Sequence, residues 1–284
     1  MNILLFGANG QLGSDIVRLW NDPEVRLVGL TRADGDVTDP DVVRKLMAEH
    51  RPDVVINTTA FHNLPVCEAE PETCFRVNVV GGRNIAAAAA EVGAAIVQLS
   101  TDYVFDGEKR SPYLESDARA ALNVYGSMKI ATEDVVRQAN PDHMIVRVSG
   151  LYGLAGSAGK GGNFVETMLR LAREGNPIRV VADQTTAPTN TAEIAEGLLV
   201  CVKDGIRGVV HLAPEDGTTW HDFASAIFGL AGVNPDLVGV TTAERNDPVQ
   251  RPMYSVLGSS RAPQLRHWQS GLERYMHEKH GLPR

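Results

Sequence analysis

A glycine-rich segment near the N-terminus constrains the fold of this chain more than any other feature. The apolar run Asn2–Phe6 leads directly into Gly7-Ala8-Asn9-Gly10-Gln11-Leu12-Gly13, and an amphipathic stretch follows. A strand, a glycine turn and a helix in this order are the context of a dinucleotide-binding loop. Gly7 permits the tight turn, Gly10 admits a diphosphate close to the backbone, and Gly13 lets helix and strand pack closely. The segment therefore predicts a βα unit whose helix N-terminus binds a diphosphate.

Short runs rich in Val, Ile and Leu alternate with helical stretches along the chain. Strands are predicted at Asn2–Phe6, Val25–Leu30, Asp53–Asn57, Ala95–Leu99, Met144–Val148, Ile178–Ala182 and Val209–Leu212. Helices are predicted near Leu12–Trp20, Pro40–His50, Glu72–Val92, Val124–Gln138, Gly162–Glu174, Thr191–Val202 and Thr219–Leu230. The alternation predicts an α/β fold with a doubly wound parallel (Rossmann) sheet.

This alternation is regular in the first half of the chain and loosens near Leu151. Residues 1–150 are therefore predicted to form the dinucleotide-binding domain, to which the strands near 178–182 and 209–212 are added. Residues 151–284 are predicted to form mainly a smaller, interleaved substrate-binding lobe.

Composition excludes several functional classes. The formal net charge is −8, from 27 basic and 35 acidic residues, and no basic block occurs, which argues against nucleic acid or an anionic membrane as partner. A run of about 18 apolar residues and a signal segment are both missing, so we expect a cytoplasmic protein. Cys67, Cys74 and Cys201 are too few and too irregular for a disulfide framework or a metal site.

The pair Tyr125 and Lys129 indicates proton-transfer chemistry. Residues four apart share one face of a helix, so the Lys129 ammonium is predicted to lie near the Tyr125 phenol. A phenol titrates near ~10, and an adjacent cation favours its ionised form. A tyrosine in this position can exchange a proton with a substrate oxygen at neutral pH.

A hydroxyl at the end of a predicted strand completes the candidate catalytic group. The strand Ala95–Leu99 ends at Ser100-Thr101-Asp102-Tyr103, and ligands collect at the carboxyl ends of parallel strands. Thr101 is therefore predicted to bond a carbonyl oxygen beside Tyr125 and Lys129.

The second strand bears on the choice of cofactor. Thr31-Arg32 stands where an acidic residue often selects NAD, so NADPH is favoured while NADH stays open. Asp36 and Val37 are predicted to meet the adenine.

Together, the glycine loop, the segment Ser100-Thr101-Asp102-Tyr103-Val104-Phe105-Asp106-Gly107 and Tyr125-Gly126-x-x-Lys129 resemble an extended short-chain dehydrogenase/reductase. More closely, the chain resembles the dTDP-4-dehydrorhamnose reductase family. Further matches are Arg51-Pro52-Asp53, Asn163-Phe164-Val165, Ala187-Pro188-Thr189 and Arg251-Pro252-x-Tyr254, and the resemblance extends to about Leu257.

The resemblance implies an NAD(P)H-dependent reductase of a 4-keto-6-deoxy nucleotide sugar, with Tyr125 as the proton donor. It implies catalytic positions at Thr101, Tyr125 and Lys129. The implied cofactor-binding residues are Gly7, Asn9, Gly10, Gln11, Leu12, Gly13, Arg32, Asp36, Val37, Thr59, Ala60, Asn78, Tyr125 and Lys129. The implied substrate-binding residues are His62, Thr101, Asp102, Tyr103, Gly150 and Arg251. The substrate is a small nucleotide sugar, and the family is compatible with a homodimer.

Two departures from the family pattern affect the sugar pocket. The usual Ala-Tyr-Thr-x-Val-Asp-Lys-x-Glu segment here runs from Ala60 to Glu68 with His62 in place of Thr, and Gly150 replaces a Trp. We expect Gly150 to enlarge or reshape the pocket, and Arg251 or Lys160 to supply a cation for the diphosphate.

Two other functions stay open from the sequence. One is a cofactor-binding regulatory subunit resembling the methionine adenosyltransferase β-subunit, and the other is a nucleotide-sugar epimerase. The complete Thr-Tyr-Lys set favours an enzyme, because a protein that only binds the cofactor does not need the phenol.

Overall fold

The computed structural model of the chain describes residues 1–156, 162–214 and 216–282. Its centre is a parallel sheet of six strands in the order β10-β5-β4-β3-β1-β2. These strands are β1 (Asn2–Phe6), β2 (Arg26–Leu30), β3 (Val54–Asn57), β4 (Ala95–Thr101), β5 (His143–Val148) and β10 (Gly208–His211). The order reverses beside β1, and a reversal of this kind is where doubly wound folds bind their ligands.

Helices cover both faces of this sheet. In chain order they are α1 (Gln11–Leu19), α2 (Pro40–His50), α3 (Leu64–Ala69), α4 (Pro71–Phe75), α5 (Gly81–Glu91), α6 (Val124–Ala139), α7 (Phe164–Glu174), α8 (Thr191–Lys203), α9 (Trp220–Ala231), α10 (Thr242–Arg245) and α11 (Trp268–His280). On one face α1 packs against α8, and on the other α5 lies between α2 and α6. Within the described ranges, no helix is long and apolar enough to cross a membrane.

Alternating strand residues feed two separate cores. In β1, Ile3 and Leu5 point into the core beneath α1 and α8, whereas Leu4 and Phe6 point into the core beneath α2 and α5. All four side chains are almost completely buried. Burial on both faces explains why the strands are continuous apolar runs.

A third core lies outside the central sheet. It is formed by α7, α9, α11 and the parallel pair of β7 (Ile178–Val181) and β12 (Leu237–Val240), with Phe223 stacked among other aromatic rings. Two shorter pairs complete the sheets: β6 (Leu151–Tyr152) with β9 (Thr189–Asn190), and β8 (Thr185–Thr186) with β11 (Thr218–Thr219).

Two features of this region differ from the sequence prediction. The strand near 178–182 does not extend the central sheet, because β7 takes β12 as its partner and packs under α9. Helix α11 was not predicted, although Trp268, Leu272, Tyr275 and Met276 recur at helical spacing and are all buried.

The predicted helix Glu72–Val92 is interrupted by one wide turn. The backbone passes from α4 through a π-helical turn, Arg76–Val80, into α5. Such turns occur often at functional sites, and this one carries Asn78.

His211 ends β10 inside a buried polar network. Its ring Nδ1 lies 2.9 Å from the Gly258 carbonyl and 3.1 Å from the Tyr113 carbonyl, and Arg147 Nη1 lies 3.3 Å from Nε2. Because carbonyls only accept and a guanidinium only donates, Nδ1 carries the proton and the ring is neutral. Burial lowers the pKa of His211 to about 4, with Arg147 adding to the shift and Glu115 opposing it.

This neutral histidine predicts a loss of stability in mild acid. Between about pH 6.5, where the unfolded side chain titrates, and about pH 4, only the unfolded chain binds the proton. As the pH is lowered through this window, the free energy of unfolding should therefore fall by on the order of 2 kcal/mol. Below about pH 4, this group should cause no further change. Urea unfolding of the wild type and His211→Asn between pH 4 and 7.5 measures the difference, since Asn keeps a donor but cannot titrate. Parallel pH profiles for the two proteins would contradict the assignment.

Candidate active site

The glycine loop has the shape of an anion-binding cradle. Gly7 adopts a φ of 87°, and a Cβ there would lie 2.5 Å from Thr58 Oγ1. A Cβ on Gly13 would collide with the Gly7 carbonyl oxygen, so helix and turn touch backbone to backbone. Helix α1 starts at Gln11, and Gly10 before it offers no side-chain cap. The free N–H groups of a helix N-terminus suit a diphosphate.

One buried polar atom supports the same interpretation. The Gln11 Oε1 atom is buried and has no hydrogen-bond partner among the described residues. A buried acceptor of this kind is costly unless a ligand or water satisfies it. The loop residues Asn9, Gly10, Gln11 and Leu12 therefore fit a dinucleotide, with Leu12 contributing its backbone because its side chain belongs to the core.

At the end of β2, a basic side chain is open to a ligand. The side chain of Arg32 is 91% exposed, and its Nη2 lies 4.0 Å from Asp36 Oδ2. Val37 is buried in the core under α5, and Asn84 Nδ2 donates to its carbonyl at 3.1 Å. Arg32 is thus free to turn toward a 2′-phosphate, which its planar fork suits.

The segment after β3 is held by two asparagines. Asn57 Oδ1 accepts from the backbone N–H of Thr59 at 3.0 Å and from its hydroxyl at 2.6 Å. Asn78 Oδ1 accepts from the Phe61 N–H at 3.0 Å, and its Nδ2 donates to the Phe61 carbonyl at 2.9 Å. Asn78 is itself buried, so it fixes the stretch Thr59, Ala60 and Phe61 rather than lying open in the cleft.

Strand β4 and helix α6 carry the three predicted catalytic residues, and Tyr125 bonds Thr101. Thr101 is the last residue of β4, and Tyr125 and Lys129 lie in the first two turns of α6. The helix starts where it does because Asn123 Oδ1 accepts from the Gly126 N–H at 2.8 Å, and Glu68 Oε1 accepts from the Val124 N–H at 2.9 Å. Side-chain caps of this kind stabilise a helix by about 1 kcal/mol each.

Lys129 is buried beneath the end of β4. Its Nζ donates to the Leu99 carbonyl at 2.6 Å, and the residue is only 2% exposed. Burial lowers the pKa of Lys129 to about 8, while the negative charges of Glu133 and Cys74 oppose this shift. At neutral pH the ammonium is therefore charged but close to titration.

The pKa of Tyr125 differs in sign from the sequence argument. Burial and the nearby Asp102 carboxylate raise the pKa of the phenol, and a hydrogen bond with Thr101 only partly opposes them. The sequence analysis expected the cation to dominate, but the Lys129 ammonium is directed to the Leu99 carbonyl. The phenol is thus fully protonated at neutral pH, as a proton donor must be.

Asp102 is turned into the protein. Its Oδ1 accepts from Thr101 Oγ1 and its Oδ2 accepts from Ser149 Oγ, both at 2.9 Å, and the residue is 3% exposed. Burial raises the pKa of Asp102, and the hydroxyls of Ser255, Ser149 and Thr101 oppose the shift. These contacts direct both carboxylate oxygens of Asp102 to neighbouring hydroxyl groups.

Tyr103 connects Tyr125 to Arg251 through a ring contact and a hydrogen bond. The Tyr103 ring meets the Tyr125 ring edge-to-face at 6.3 Å, and Arg251 Nη1 lies 3.5 Å from the Tyr103 hydroxyl. Asp247 holds the same guanidinium through Nη2 at 3.1 Å. His62 is half-buried, with its Nδ1 3.3 Å from the Ala60 carbonyl. Lys160, the other cation predicted for the diphosphate, lies outside the described residues.

Gly150 lies in a left-handed turn packed against the backbone of Ala187 and Pro188. Its φ is 55°, and a Cβ there would lie 3.0 Å from Pro188 Cα and 3.4 Å from the Ala187 carbonyl oxygen. The backbone of Ala187 and Pro188 therefore lies close to Gly150, and the changed shape of the sugar pocket stays a prediction. A glycine is needed here because the left-handed conformation strains other residues.

Sequence reasoning missed the buried acid beneath the catalytic pair. Glu133 accepts from Ser100, Arg119 and Arg147, and none of these residues was singled out. The available signal was spacing, because Glu133 follows Lys129 by four residues, as Lys129 follows Tyr125.

Comparison with known proteins agrees with this geometry. Residues 1–280 match the family described as RmlD substrate binding domain. The chain is 38% identical to a dTDP-4-dehydrorhamnose reductase from Shigella flexneri, over 98% of each chain. It is 36% identical to a dTDP-4-keto-6-deoxy-D-glucose reductase from Streptomyces niveus, over 95% of this chain and 94% of that one. The chain belongs to the dTDP-4-dehydrorhamnose reductase family of extended short-chain dehydrogenase/reductases.

Solved structures of this family superpose along the whole chain. A dTDP-4-dehydrorhamnose reductase from Clostridium acetobutylicum has a TM-score of 0.92 at 37% identity, covering 98% of this chain and 99% of that one. One from Bacillus anthracis, solved in complex with NADP, also has a TM-score of 0.92, at 33% identity and the same coverage. The family fold therefore includes the third core and α11 as well as the central sheet.

Proposed function

We propose that this chain is an NADPH-dependent reductase of the C4 ketone in a 4-keto-6-deoxyhexose carried on a nucleoside diphosphate. The observation that carries the proposal is the hydrogen bond between a protonated Tyr125 and Thr101 at the carboxyl end of β4, with the buried Lys129 ammonium one turn further along α6. The glycine loop follows the carboxyl end of β1, at the same edge of the sheet, and supports the cofactor assignment. The NADP complex of the Bacillus anthracis relative supports it as well.

Side chains of the protein bind and protonate the oxygen of the ketone. When bound, NADPH supplies the hydride that adds to the carbonyl carbon. Tyr125 donates a hydrogen bond to the carbonyl oxygen and transfers its proton as negative charge develops there. The Thr101 hydroxyl turns from Asp102 to the same oxygen and stabilises that charge.

Lys129 makes the loss of the phenolic proton feasible. A phenolate in a buried site is unfavourable unless a cation stands near it. The Lys129 ammonium, held on the Leu99 carbonyl, supplies that charge without entering solvent. A chain of water molecules then returns a proton to Tyr125.

The choice of substrate is based on the family and on the guanidinium of Arg251. Arg251 is fixed by Asp247 and Tyr103, and a guanidinium suits a diphosphate because its planar fork binds two oxygens at once. The names of these relatives describe reductases of dTDP-linked keto sugars. They give no support to the alternative functions, a regulatory subunit or an epimerase. dTDP-4-dehydrorhamnose is accordingly the first substrate to test.

Screening NADPH oxidation at 340 nm against a panel of nucleotide-linked 4-keto sugars tests the function. Turnover of one dTDP-linked sugar with a kcat/KM of about 10⁴ M⁻¹s⁻¹ or more is expected. A protein that binds NADPH tightly but reduces none of the panel would point to the regulatory function instead.

Tyr125→Phe tests the proton donor. The ring stays in place and only the hydroxyl is lost, so kcat should fall by ~10²-fold or more while the Kd for NADPH changes little. Cofactor fluorescence gives the Kd and steady-state kinetics give kcat. Near-native turnover by the purified variant would exclude Tyr125 as the donor.

Arg32→Ala tests the cofactor preference. If the exposed guanidinium binds the 2′-phosphate, the change should raise KM for NADPH by ~10-fold and leave KM for NADH nearly unchanged. Lys45→Ala serves as the matched charge control, because Lys45 is also a basic residue and is exposed on α2. Equal effects of Arg32→Ala on both cofactors would remove Arg32 from the site.

The pH dependence of kcat tests the charge on Lys129. The folded pKa of about 8 means that the ammonium is present below pH 8 and lost as the pH rises through it. With saturating substrates, kcat should be level near pH 7 and decline about tenfold per pH unit well above pH 8. A profile that stays level to pH 10 would contradict this role.

The cytoplasmic location, the homodimer and the lack of a nucleic-acid partner stay predictions from the sequence. Light scattering coupled to size-exclusion chromatography measures the oligomeric state directly.

A further inference from the structure

The buried acid Glu133 makes four close contacts under the catalytic helix. It lies on α6 one turn after Lys129 and is 1% exposed. Its Oε1 accepts from Ser100 Oγ at 2.6 Å and from Arg147 Nε at 2.9 Å. Its Oε2 accepts from Arg147 Nη2 at 2.8 Å and from Arg119 Nη1 at 3.1 Å.

These contacts attach α6 to the end of β4 beside the catalytic residues. Lys129 bonds the carbonyl of Leu99, and one turn later Glu133 bonds the side chain of Ser100, the next residue of the strand. The residue after Ser100 is Thr101. The two bonds therefore fix how far along β4 the helix sits, and with it the distance between Tyr125 and the Thr101 hydroxyl.

We propose that Glu133 is a positioning residue of the reductase, which holds α6 in register with β4 and keeps the ammonium of Lys129 charged. This rests on the proposed function for its effect on turnover, but not for its effect on Lys129.

The charges around the pair support the electrostatic part. Two groups face Lys129: Glu133, which lies on the same helix, and Cys74, which lies on α4. Both oppose the fall of the Lys129 pKa that burial causes. The phenol of Tyr125, on the same face, is neutral at pH 7. Replacing Glu133 by an uncharged residue should therefore lower the pKa of Lys129 further.

Glu133 itself stays ionised. Burial alone would raise its pKa, but Arg147 and Ser100 bond the carboxylate and Arg119 adds charge, so the pKa lies below its usual range. Behind this group, Asp134 shares Arg119 and the neutral His211 contacts Arg147.

The variants separate charge from position. Glu133→Gln removes the charge, Glu133→Asp keeps it on a shorter side chain, and Ser100→Ala removes only the bond to the strand. Asp134→Asn is the matched control, because it is the adjacent carboxylate and also pairs with Arg119, but on the outer side.

The first measurement does not need activity. Carbon NMR of ¹³C-labelled lysine, with the Lys129 signal assigned by Lys129→Met, gives the pKa of the ammonium. It should fall by about one unit or more in Glu133→Gln and stay within about half a unit of wild type in Glu133→Asp and Asp134→Asn. An unchanged pKa in Glu133→Gln overturns the electrostatic part, whether or not a substrate has been found.

The second measurement is turnover together with cofactor binding. In Glu133→Gln, kcat at pH 7.5 should fall ~10-fold or more, with its alkaline limb displaced to lower pH and the Kd for NADPH within ~3-fold of wild type. Compared with Glu133→Gln, Glu133→Asp should return the alkaline limb of the pH profile to its wild-type position but should recover only part of the wild-type kcat.

Ser100→Ala keeps the proposal testable if Glu133→Gln does not fold, since it unpairs no buried charge. It should lower kcat several-fold with the pH profile unmoved. Native kcat in Ser100→Ala overturns the positional part. A wild-type protein that reduces no keto sugar would instead refute the proposed function, and the lysine titration would still decide the role of Glu133.

Discussion

The hydrogen bond from the buried Lys129 ammonium to the Leu99 carbonyl decides where the functional parts of this molecule lie. An ammonium taken out of water is costly unless it is bonded and balanced by charge. The end of β4 supplies the carbonyl, so α6 must cross the sheet at that point and no other. Tyr125 is then placed beside Thr101, and the adjacent strands β3 and β1 bring the Asn57 segment and the glycine loop to the same edge.

The group of polar and charged side chains beneath this bond is unusual for a protein core. Glu133, Arg147 and His211 are all nearly inaccessible to solvent, and Arg147 also lies over the Phe105 ring at 5.1 Å. Buried ion pairs of this kind add little net stability compared with apolar residues of the same size, because desolvation offsets the attraction. Their use is geometric, since each donor and acceptor has one satisfactory arrangement. The neutral tautomer of His211 follows from the same logic, because Nε2 accepts from Arg147 while Nδ1 donates to the backbone carbonyls.

Sequence reasoning predicted the central sheet and selected three candidate catalytic residues because both have strong local signals. Strands buried on two faces are continuous apolar runs, and Thr101, Tyr125 and Lys129 follow a strand end and a helical spacing. The partner of β7 could not be read in this way, since a short apolar strand is equally suited to either sheet. The π-turn at Asn78 leaves no mark in a helical pattern. The pKa of Tyr125 and the packing around Gly150 depend on neighbours distant in the chain, namely Asp102 and Pro188, and only the folded structure brings these together.

Burial acts on Tyr125 and Lys129 in opposite directions, and the opposition suits a reduction. It raises the pKa of the phenol and lowers that of the ammonium, so each group carries its proton at neutral pH while the lysine is close to losing it. A phenolate formed in this site needs the ammonium, because an isolated buried anion is strongly disfavoured. In the mechanism proposed above, proton release by Tyr125 is therefore coupled to the charge on Lys129, and Tyr125 gives up its proton only when a substrate oxygen accepts it. Burial and the nearby Asp102 carboxylate keep the phenol neutral in the resting protein.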